Sequence, residues 1–305
     1  MLPEFERRLL GMGIKYEKDY LLSAHSSFKI GGRADLALFP RNEEELRNVV
    51  LISKELGVKT TVIGRASNVL FSDKGYRGAV IFTELMSEIT VREDGDTAFV
   101  DCLCGAPLSA LAMRTAKAGL SGLEFLHGIP GSLGGAVCMN AGAFGKEISE
   151  AITQVRAYDS ESDEFISLSD RDCAFSYRHS LFTDIKRLLC VGATLSAEKG
   201  ESREILERIE AYKQKRLSSQ PYTMASAGSF FKRPDGYFAA KLIDDCGLKG
   251  MRVGDACVSE KHAGFIVNLG SARAKDVLTL SEAVARRVFD EYGVSLEREV
   301  VYIEE

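Results

Sequence analysis

The chain has 305 residues, of which 45 % are hydrophobic and 27 % are charged, and its formal net charge is −5. This composition excludes a disordered or collagen-like chain, and the length suffices for two or three domains. The net negative charge argues against nonspecific nucleic-acid binding, which needs a positively charged surface. We therefore expect a folded, multidomain protein without a nucleic-acid partner.

The first half of the chain alternates helical and strand patterns. Asn42 and the three glutamates after it form a capping signal, apolar residues follow at helical spacing to Leu56, and Gly57 ends the helix. Glycine, proline and polar clusters separate the next patterns, which indicates distinct elements. In chain order these are a strand at 58–63, a strand at 78–83, a strand at 97–103 and a helix at 108–118.

The second half continues this mixed pattern after a glycine-rich stretch. Its predicted elements are strands at 152–158, 164–168 and 188–196, a helix at 203–216, a helix that includes 277–288 and ends near Gly293, and a strand at 300–303. Gln220-Pro221 marks a domain junction. Helices and strands that alternate in this way indicate an α+β protein, with composition changes near 85–95 and 215–220.

The cysteines and the N-terminal residues indicate where in the cell the protein is expected and whether it is expected to bind a metal. Seven cysteines with no C-x-x-C pair argue against a zinc site and against a disulfide framework. The first residues, MLPEFERRLLGMG, are charged throughout, and no run approaches the roughly 20 apolar residues of a membrane span. We expect free thiols, no metal, no membrane association and a cytoplasmic protein.

The stretch Leu126–Gly145 holds six glycines in twenty residues. Glycine is costly to order, so this density indicates a backbone that approaches a ligand closely and directs N–H groups at it, as for a pyrophosphate. A loop-rich bend in the core is the alternative. The stretch therefore favours a nucleotide-containing cofactor.

Two common phosphate-binding motifs are absent from this stretch. The spacing G-I-P-G-S-L-G-G differs from the dinucleotide fingerprint G-x-G-x-x-G, and Pro130 removes one amide donor. No G-K-[ST] follows the glycines, which excludes a Walker loop. The loops 64–68 and 128–135 thus predict a phosphate cradle of another kind.

Seven motifs then occur in order across about residues 25–303. They are SSFKIGGRAD (26–35), GRASNVL (64–70), GIPGSLGGAVCMNAGAFG (128–145), SYRHSLF (176–182), AGSFFKRP (227–234), LIDDCGLKGMRVGDACVSEKHAGFIVN (242–268) and LEREV (296–300). Together they resemble the UDP-N-acetylenolpyruvoylglucosamine reductase family, flavoenzymes of peptidoglycan precursor synthesis. The last third has no obvious inserted loop, so the chain is similar to the compact type II branch.

The resemblance implies a three-domain α+β flavoenzyme of the vanillyl-alcohol-oxidase/PCMH class, with a C-terminal α+β substrate domain. Residues 1–90 and 91–217 would be the two FAD-binding subdomains, and 218–298 the UDP-sugar domain. The final strand, 299–305, could return to the first subdomain. The composition changes near 85–95 and 215–220 agree with these boundaries.

The resemblance also implies the cofactor site. FAD would be bound without a covalent bond, with NADPH as co-substrate. One departure concerns the loop that is often G-N-G-S-N in the family, because this chain has Arg65 and Ala66, and alanine tolerates a positive φ less well than glycine. The residues implied to bind FAD are Gly64, Ser67, Asn68, Pro130, Gly131, Ser132, Gly134 and Gly135.

Three residues are implied to carry the chemistry. Composition alone would make Arg178 a surface arginine, but the family motif makes it a clamp for the enolpyruvyl carboxylate through two parallel bonds. Ser229 lies outside any G-x-S-x-G elbow and matches the family proton donor. Glu299 matches the glutamate that stabilises the developing charge, with Glu297 as the reserve, since spacing alone does not choose between them.

The substrate implied is UDP-N-acetylglucosamine enolpyruvate, which NADPH reduces through FAD to UDP-N-acetylmuramate. No protein partner is expected. His262 stands where some family members have glutamine, and Arg233 where many have asparagine. The implied diphosphate and sugar contacts are Lys232, Arg233, Lys249 and His262.

Two other functions remain open from the residues. One is a different flavoenzyme of the same fold, such as an oxidase, with covalent flavin on His127 or His25. The other is a FAD- or UDP-sugar-binding sensor without catalysis. The presence of Arg178, Ser229 and Glu299 argues against the sensor.

Overall fold

The computed structural model describes residues 2–95 and 97–305, which form two compact units. Unit 1 contains the described residues up to Glu17 together with Leu36–Arg65 and Gly78–Lys215. Unit 2 contains Lys18–Asp35, Ala66–Arg77 and Arg216–Glu305. Neither unit is one continuous stretch of chain, and the predicted division into three domains stays a prediction.

The described helices range from single turns to five turns. They are α1 (Leu2–Gly11), α2 (Leu22–His25), α3 (Glu43–Leu56), α4 (Leu108–Lys117), α5 (Leu133–Cys138), α6 (Leu181–Asp184), α7 (Ser202–Ser219), α8 (Ala239–Asp245) and α9 (Ala274–Tyr292).

The described strands alternate with these helices along the chain. They are β1 (Lys15–Leu21), β2 (Arg33–Phe39), β3 (Thr60–Ile63), β4 (Val69–Phe71), β5 (Tyr76–Phe82), β6 (Ile89–Asp94), β7 (Thr97–Leu103), β8 (Leu120–Ser121), β9 (Gly142–Ala143), β10 (Lys146–Glu147), β11 (Ile152–Asp159), β12 (Glu164–Ser169), β13 (Leu188–Lys199), β14 (Ala225–Ser229), β15 (Arg252–Val253), β16 (Ala256–Val258), β17 (Phe265–Asn268) and β18 (Val301–Ile303).

The largest sheet lies in unit 1 and has the order β12-β11-β13-β7-β6, with β8 also paired to β13. Its neighbouring strands are antiparallel. In β7 buried and half-buried residues alternate, as expected for a strand with one face on the core, whereas β13 is buried over most of its length. A second sheet has the order β1-β2-β5-β3, with β3 and β5 parallel.

Unit 2 is built around the antiparallel sheet β14-β17-β16-β15. One face of this sheet carries Val258 and Ile266, which belong to the same apolar core as α9. Because side chains alternate along a strand, the other face carries Cys257, Phe265 and Val267, a separate small cluster. The C-terminal strand β18 pairs in parallel with β4.

Several predicted elements are confirmed. Helix α3 begins after Asn42, whose side chain accepts the Glu45 N–H at 2.9 Å, and ends at Gly57 with φ of 64°. Helix α9 ends in the same way at Gly293, with φ of 66°. The strands at 58–63 and 188–196 are present with shifted ends, as β3 and β13.

Two parts of the chain differ from the predictions. The four elements before residue 40, from α1 to β2, were not predicted, because their short apolar patterns carry no clear period. The glycine-rich stretch is not entirely loop, since it contains α5 and the hairpin β9–β10. Burial of Leu133, Ala136 and Val137 in the core stabilises that short helix despite its two glycines.

Candidate active site

The loop Gly64–Asn68 follows β3 and has a left-handed residue at its centre. Ala66 has φ of 47°, in the region that glycine adopts without strain. Its side chain is buried, and its carbonyl oxygen accepts the Ser27 N–H at 3.3 Å. The alanine therefore occupies the same region of backbone conformation that a glycine would favour, so the departure from G-N-G-S-N leaves the turn in place.

The Ser132 hydroxyl marks the second loop of the predicted cradle. Ser132 is 1 % exposed, and its Oγ has no hydrogen-bond partner among residues 2–95 and 97–305. A Cβ atom added at Gly64 would overlap this Oγ, so a side chain at position 64 would have to displace the hydroxyl. Buried hydroxyls are nearly always hydrogen-bonded. A buried hydroxyl that has no partner among the described residues and lies beside a glycine fits a ligand such as the FAD pyrophosphate.

The other glycines of this cradle have different roles. The Gly134 N–H donates to the Cys104 carbonyl oxygen at 2.7 Å, and a Cβ at Gly134 would lie 2.9 Å from the Cys104 Cβ. Close packing against Cys104 thus explains this glycine. Gly135 is exposed, and a Cβ there would meet only the Ser132 Oγ, at 3.9 Å. Pro130 is exposed and Gly131 half-buried. Their contacts with FAD stay predictions.

Arg178 lies in a two-residue turn between Ser176 and His179, which exchange two N–H···O bonds of 3.1 Å. Arg178 is half-buried with φ of 54°. Its guanidinium carbon lies 5.1 Å from the centre of the Tyr177 ring. A guanidinium stacked on a ring keeps its N–H groups in its own plane, where they can make two parallel bonds to a carboxylate.

Asn140 anchors this turn, a role that the sequence did not predict. The side chain is 1 % exposed, and its Nδ2 donates to the Ser176 carbonyl at 3.1 Å and to the Glu147 Oε2 at 2.7 Å. Its Oδ1 accepts the Ser149 N–H at 3.2 Å. A polar residue inside the glycine-rich run was the available signal. The glycine-rich run therefore fixes the turn of Arg178, in addition to its predicted role in binding FAD.

Ser229, in unit 2, ends β14 and is exposed. It pairs with Phe265 of β17 after a register irregularity that begins at Ser226. Gly228, within this irregularity, has φ of 79°. Irregularities of this kind change the direction of a side chain at the end of a strand. The Ser229 hydroxyl is therefore accessible at the end of the strand, as a proton donor must be.

The structure gives Glu297 and Glu299 different surroundings. The Glu297 Oε1 accepts from the Lys232 Nζ at 2.5 Å, and its side chain is 72 % exposed. Glu299 is half-buried, and its N–H donates to the carbonyl of Phe230, the residue after Ser229, at 2.9 Å. The Glu297 carboxylate thus forms an ion pair, while the Glu299 main chain lies beside the strand of Ser229. Glu299 stands two residues before β18 rather than at its start.

Lys232 and Arg233 lie in the irregular segment between β14 and α8. Lys232 is half-buried and Arg233 is exposed. The Arg233 guanidinium carbon lies 4.8 Å from the centre of the exposed Phe238 ring. Cation–π contacts at exposed sites contribute about 0.5–1 kcal/mol. This pair places one positive charge and one flat apolar surface at the same edge of unit 2.

Lys249 and His262 differ in charge. The Lys249 Nζ donates to the Asp244 Oδ2 at 2.7 Å. Burial lowers the pKa of His262, whose ring lies edge-on to Phe265 with the centroids 5.0 Å apart. The His262 Nδ1 accepts the Gly264 N–H at 3.2 Å, which assigns the proton to Nε2. His262 is thus neutral near pH 7, and suits a hydrogen bond to a sugar or phosphate oxygen rather than an ion pair.

A cavity of about 360 Å³ lies on the face of the unit 2 sheet that carries Phe265 and Val267. Its wall is largely apolar, with Arg252 and Lys261 among its charged residues. The sequence predicted none of this lining, because the residues are far apart in the chain. It includes Tyr222, Met224, Cys257, Val267 and Leu269.

Comparisons with known proteins decide the family. Residues 34–168 match the FAD binding domain, and residues 220–303 match the UDP-N-acetylenolpyruvoylglucosamine reductase, C-terminal domain. A UDP-N-acetylenolpyruvoylglucosamine reductase from Caldicellulosiruptor saccharolyticus is 42 % identical over 99 % of this chain and 96 % of its own length. The chain belongs to the UDP-N-acetylenolpyruvoylglucosamine reductase family. The resemblance stated from the seven motifs is confirmed.

Further relatives agree with this assignment. A reductase of the same name from Lachnoclostridium phytofermentans is 46 % identical, with 93 % of this chain and 91 % of the relative covered. The crystal structure of the reductase from Thermus caldophilus superposes with a TM-score of 0.77 at 35 % identity, covering 95 % of this chain and 98 % of that one. The predicted α+β flavoenzyme fold is confirmed. Among the described residues, no helix has the length and apolar character that crossing a bilayer requires.

Proposed function

We propose that this member of the family reduces UDP-N-acetylglucosamine enolpyruvate to UDP-N-acetylmuramate, with NADPH as reductant and FAD as cofactor, in peptidoglycan precursor synthesis. The protein is an FAD-containing oxidoreductase. The observation that carries the proposal is that the FAD binding domain and the reductase C-terminal domain occur together in one chain, which full-length relatives share. A small-molecule UDP-sugar substrate and a cytoplasmic location follow from this function.

The cofactor fits the cradle that the structure shows. Gly64 and Ser132 would lie against the FAD pyrophosphate, with the Ser132 Oγ as a donor that has no acceptor among the described residues. When bound, FAD supplies the hydride-transfer chemistry between NADPH and the enolpyruvyl group. The further residues proposed for this site are Ser67, Asn68, Pro130, Gly131, Gly134 and Gly135. Of these, Asn68 would contribute through its main chain, because its side-chain Nδ2 bonds to the Glu299 carbonyl, and Gly134 through packing rather than through its N–H.

The protein contributes by stabilising charge on the substrate carboxylate. Hydride addition at C3 of the enolpyruvyl group leaves negative charge at C2, which spreads into the carboxylate. Arg178 would hold that carboxylate through two parallel N–H···O bonds, and Glu299 in its protonated form would stabilise the charged form by donating a hydrogen bond. Groups fixed before the reaction stabilise the transition state without reorganising, and the bonds that position the Arg178 turn serve this purpose.

Ser229 is proposed to donate the proton to C2. An alcohol is a weak acid, but a developing carbanion is far more basic, so the transfer is favourable. The exposed position of Ser229 at the end of β14 lets a substrate approach its hydroxyl. A positioned proton donor accelerates such a step by about 10²- to 10⁴-fold.

The UDP moiety is proposed to bind to unit 2. Lys249, Lys232 and Arg233 supply positive charge for the diphosphate, and neutral His262 supplies the Nε2 proton. The cavity beside Val267 is too small for the whole substrate, but its apolar wall with Tyr222 suits the nucleoside end.

Substitution of Ser229 by alanine tests this function. We expect that Ser229→Ala keeps NADPH-dependent bleaching of the flavin absorbance, while the subsequent reaction with the enolpyruvyl substrate slows by at least about 10²-fold. Stopped-flow absorbance separates the two half-reactions. Ser167→Ala, which removes an exposed hydroxyl from β12, is the matched control and should match the wild type. Equal loss in both half-reactions would contradict the role of Ser229, and a preparation that takes up no FAD would contradict the function.

A further inference from the structure

The main chain of Glu299 is hydrogen-bonded on both sides. Its N–H donates to the Phe230 carbonyl at 2.9 Å, and its carbonyl oxygen accepts the Asn68 Nδ2 at 3.1 Å. These residues all belong to unit 2. These two bonds restrict the main chain of Glu299. The position of its carboxylate therefore depends on both bonds.

Asn68 also extends the small sheet formed by β4 and β18. Its carbonyl oxygen accepts the Val301 N–H at 3.0 Å, and the next residue, Val69, pairs with Val301 in the parallel register. The parallel pairing includes residues 301–303 but not Glu299. The Asn68 side chain thus makes a bond to Glu299 that the main-chain ladder does not supply.

The opposite side of the segment 297–299 is fixed by the residues after Ser229. The Lys232 N–H donates to the Glu297 carbonyl at 2.8 Å, and Phe231 forms an antiparallel bridge with Arg298. The Lys232–Glu297 ion pair spans the same two segments. The segment that carries Glu299 therefore lies between the chain that follows Ser229 on one side and Asn68 on the other.

We propose that Asn68 is a positioning residue for Glu299: its side-chain amide fixes the main chain of the catalytic glutamate to the cofactor loop. The proposal rests on the proposed function, in which Glu299 stabilises charge on the substrate carboxylate. Asn68 directly follows Ala66 and Ser67 in the loop 64–68 that the resemblance assigns to FAD. A residue of the predicted cofactor loop thus positions the glutamate.

The chemistry of the bond explains why the residue is an asparagine. The Glu299 carbonyl is an acceptor, so its partner has to donate. Aspartate has nearly the same shape as asparagine but, when ionised, only accepts, and it would place a negative charge against the carbonyl oxygen. A shift of about 1 Å in a catalytic group can reduce a rate about 10²-fold. The loss should appear in the step that uses Glu299, and not in flavin reduction by NADPH.

The experiment measures both half-reactions of the FAD-loaded enzyme with Asn68→Asp and Asn68→Ala. We expect the limiting rate of enolpyruvyl reduction to fall by about 10- to 100-fold. With FAD kept saturating at the dissociation constant that fluorescence titration gives for each variant, the rate of flavin reduction by NADPH and the substrate dissociation constant should each change by less than about threefold. A residue with only a structural role would not separate the limiting rate from substrate affinity in this way.

Asn42→Ala is the matched control. Asn42 caps α3 in unit 1 through its side chain, so its removal weakens folding without contact with Glu299. This variant should leave both half-reactions unchanged. If wild-type protein does not reduce the enolpyruvyl substrate at all, the proposed function fails, whatever the Asn68 variants do.

Three results would overturn the role of Asn68. They are wild-type rates in both Asn68 variants, an equal loss in the two half-reactions, and a loss of FAD affinity that accounts for the whole effect. Failure of both variants to fold while Asn42→Ala folds would also contradict it, since Asn68 would then serve the fold rather than the position of Glu299.

Discussion

Arg178 in unit 1 and Glu299 in unit 2 are both held by an asparagine, but the two asparagines differ in burial. The Asn140 amide donates to the Ser176 carbonyl in the turn of Arg178, and the Asn68 amide donates to the carbonyl of Glu299 itself. Asn140 is 1 % exposed and its side chain makes three hydrogen bonds, whereas Asn68 is half-buried.

The difference in burial implies that the fold depends on Asn140, whereas Asn68 mainly sets the position of Glu299. An unsatisfied buried polar group costs its full desolvation energy, while a half-buried group can exchange its partner for water. We therefore expect substitutions at Asn140 to reduce stability and substitutions at Asn68 to reduce mainly the rate. The predictions below test this contrast, from the largest expected effect to the smallest.

Asn140→Ala should have the largest effect. It removes the acceptor of the Ser149 N–H, and it removes one donor from the Ser176 carbonyl and one from the Glu147 carboxylate, which keep the His179 and Glu150 N–H groups. We expect the free energy of unfolding to fall by about 2–4 kcal/mol. Urea denaturation followed by circular dichroism measures this. Asn42→Ala, which removes an exposed helix cap, should cost only about 1 kcal/mol. Similar losses of unfolding free energy in the two variants would contradict the expected difference between a buried and an exposed asparagine.

Two alanines with the same backbone angle sharpen the comparison. Ala174 precedes the turn of Arg178 and Ala66 precedes Asn68, and both have φ of 47°. Ala174 is exposed, so Ala174→Gly relieves left-handed strain and should stabilise the protein by about 0.5–1 kcal/mol. Ala66 is 3 % exposed, so Ala66→Gly also loses a buried methyl group worth about 0.8 kcal/mol and should be nearly neutral. Thermal unfolding of the two variants measures the difference, and equal shifts would contradict the explanation.

The smallest expected effect is the loss of folding stability as the pH falls. Burial lowers the pKa of His262, so below about pH 6.5 the unfolded chain binds a proton that the folded chain resists. Stability should therefore fall as the pH decreases through this range, by less than about 1.4 kcal/mol per pH unit. In unit 1 the hydrogen bond from His179 lowers the pKa of Asp184, whose contribution is lost only below about pH 4.

His262→Gln removes the titrating group and checks this prediction. Unfolding in urea between pH 7.5 and 5.5 should show a shallower loss of stability in the variant than in the wild type. A parallel decline in both proteins would assign the acid sensitivity to other groups.

The sequence predicted those parts of the fold that local chemistry specifies. Helix α3 was recognised at both ends because Asn42 and Gly57 satisfy the helix termini through neighbouring residues. The short helix α5 was missed, because two glycines oppose helix formation locally and only burial of Leu133 and Val137 in the core stabilises it. The strands before residue 40 were missed because their short apolar patterns carry no clear period.

For the candidate site too, the sequence predicted some features and only the structure showed others. The seven motifs identified the family and named Arg178, Ser229 and Glu299, and the choice of Glu299 over Glu297 came from the resemblance, not from spacing. The structure added that the Glu297 carboxylate pairs with Lys232 and that His262 is half-buried and neutral near pH 7. Neither fact is visible in the order of residues, because a pKa and an ion pair depend on what distant segments place nearby.

The sequence by itself thus determined the family, the cofactor and the kind of reaction, because glycines, an arginine and a serine in fixed motifs are recognisable without the fold. Only the tertiary structure decided how these groups are held. The Ser132 hydroxyl lies beside Gly64, the Asn140 amide bonds to the segment of Arg178, and the Asn68 amide bonds to Glu299. These contacts join residues that are 36–231 positions apart in the chain. Such bonds exist only after the chain has folded, since a hydrogen bond requires its two groups within about 3 Å of each other.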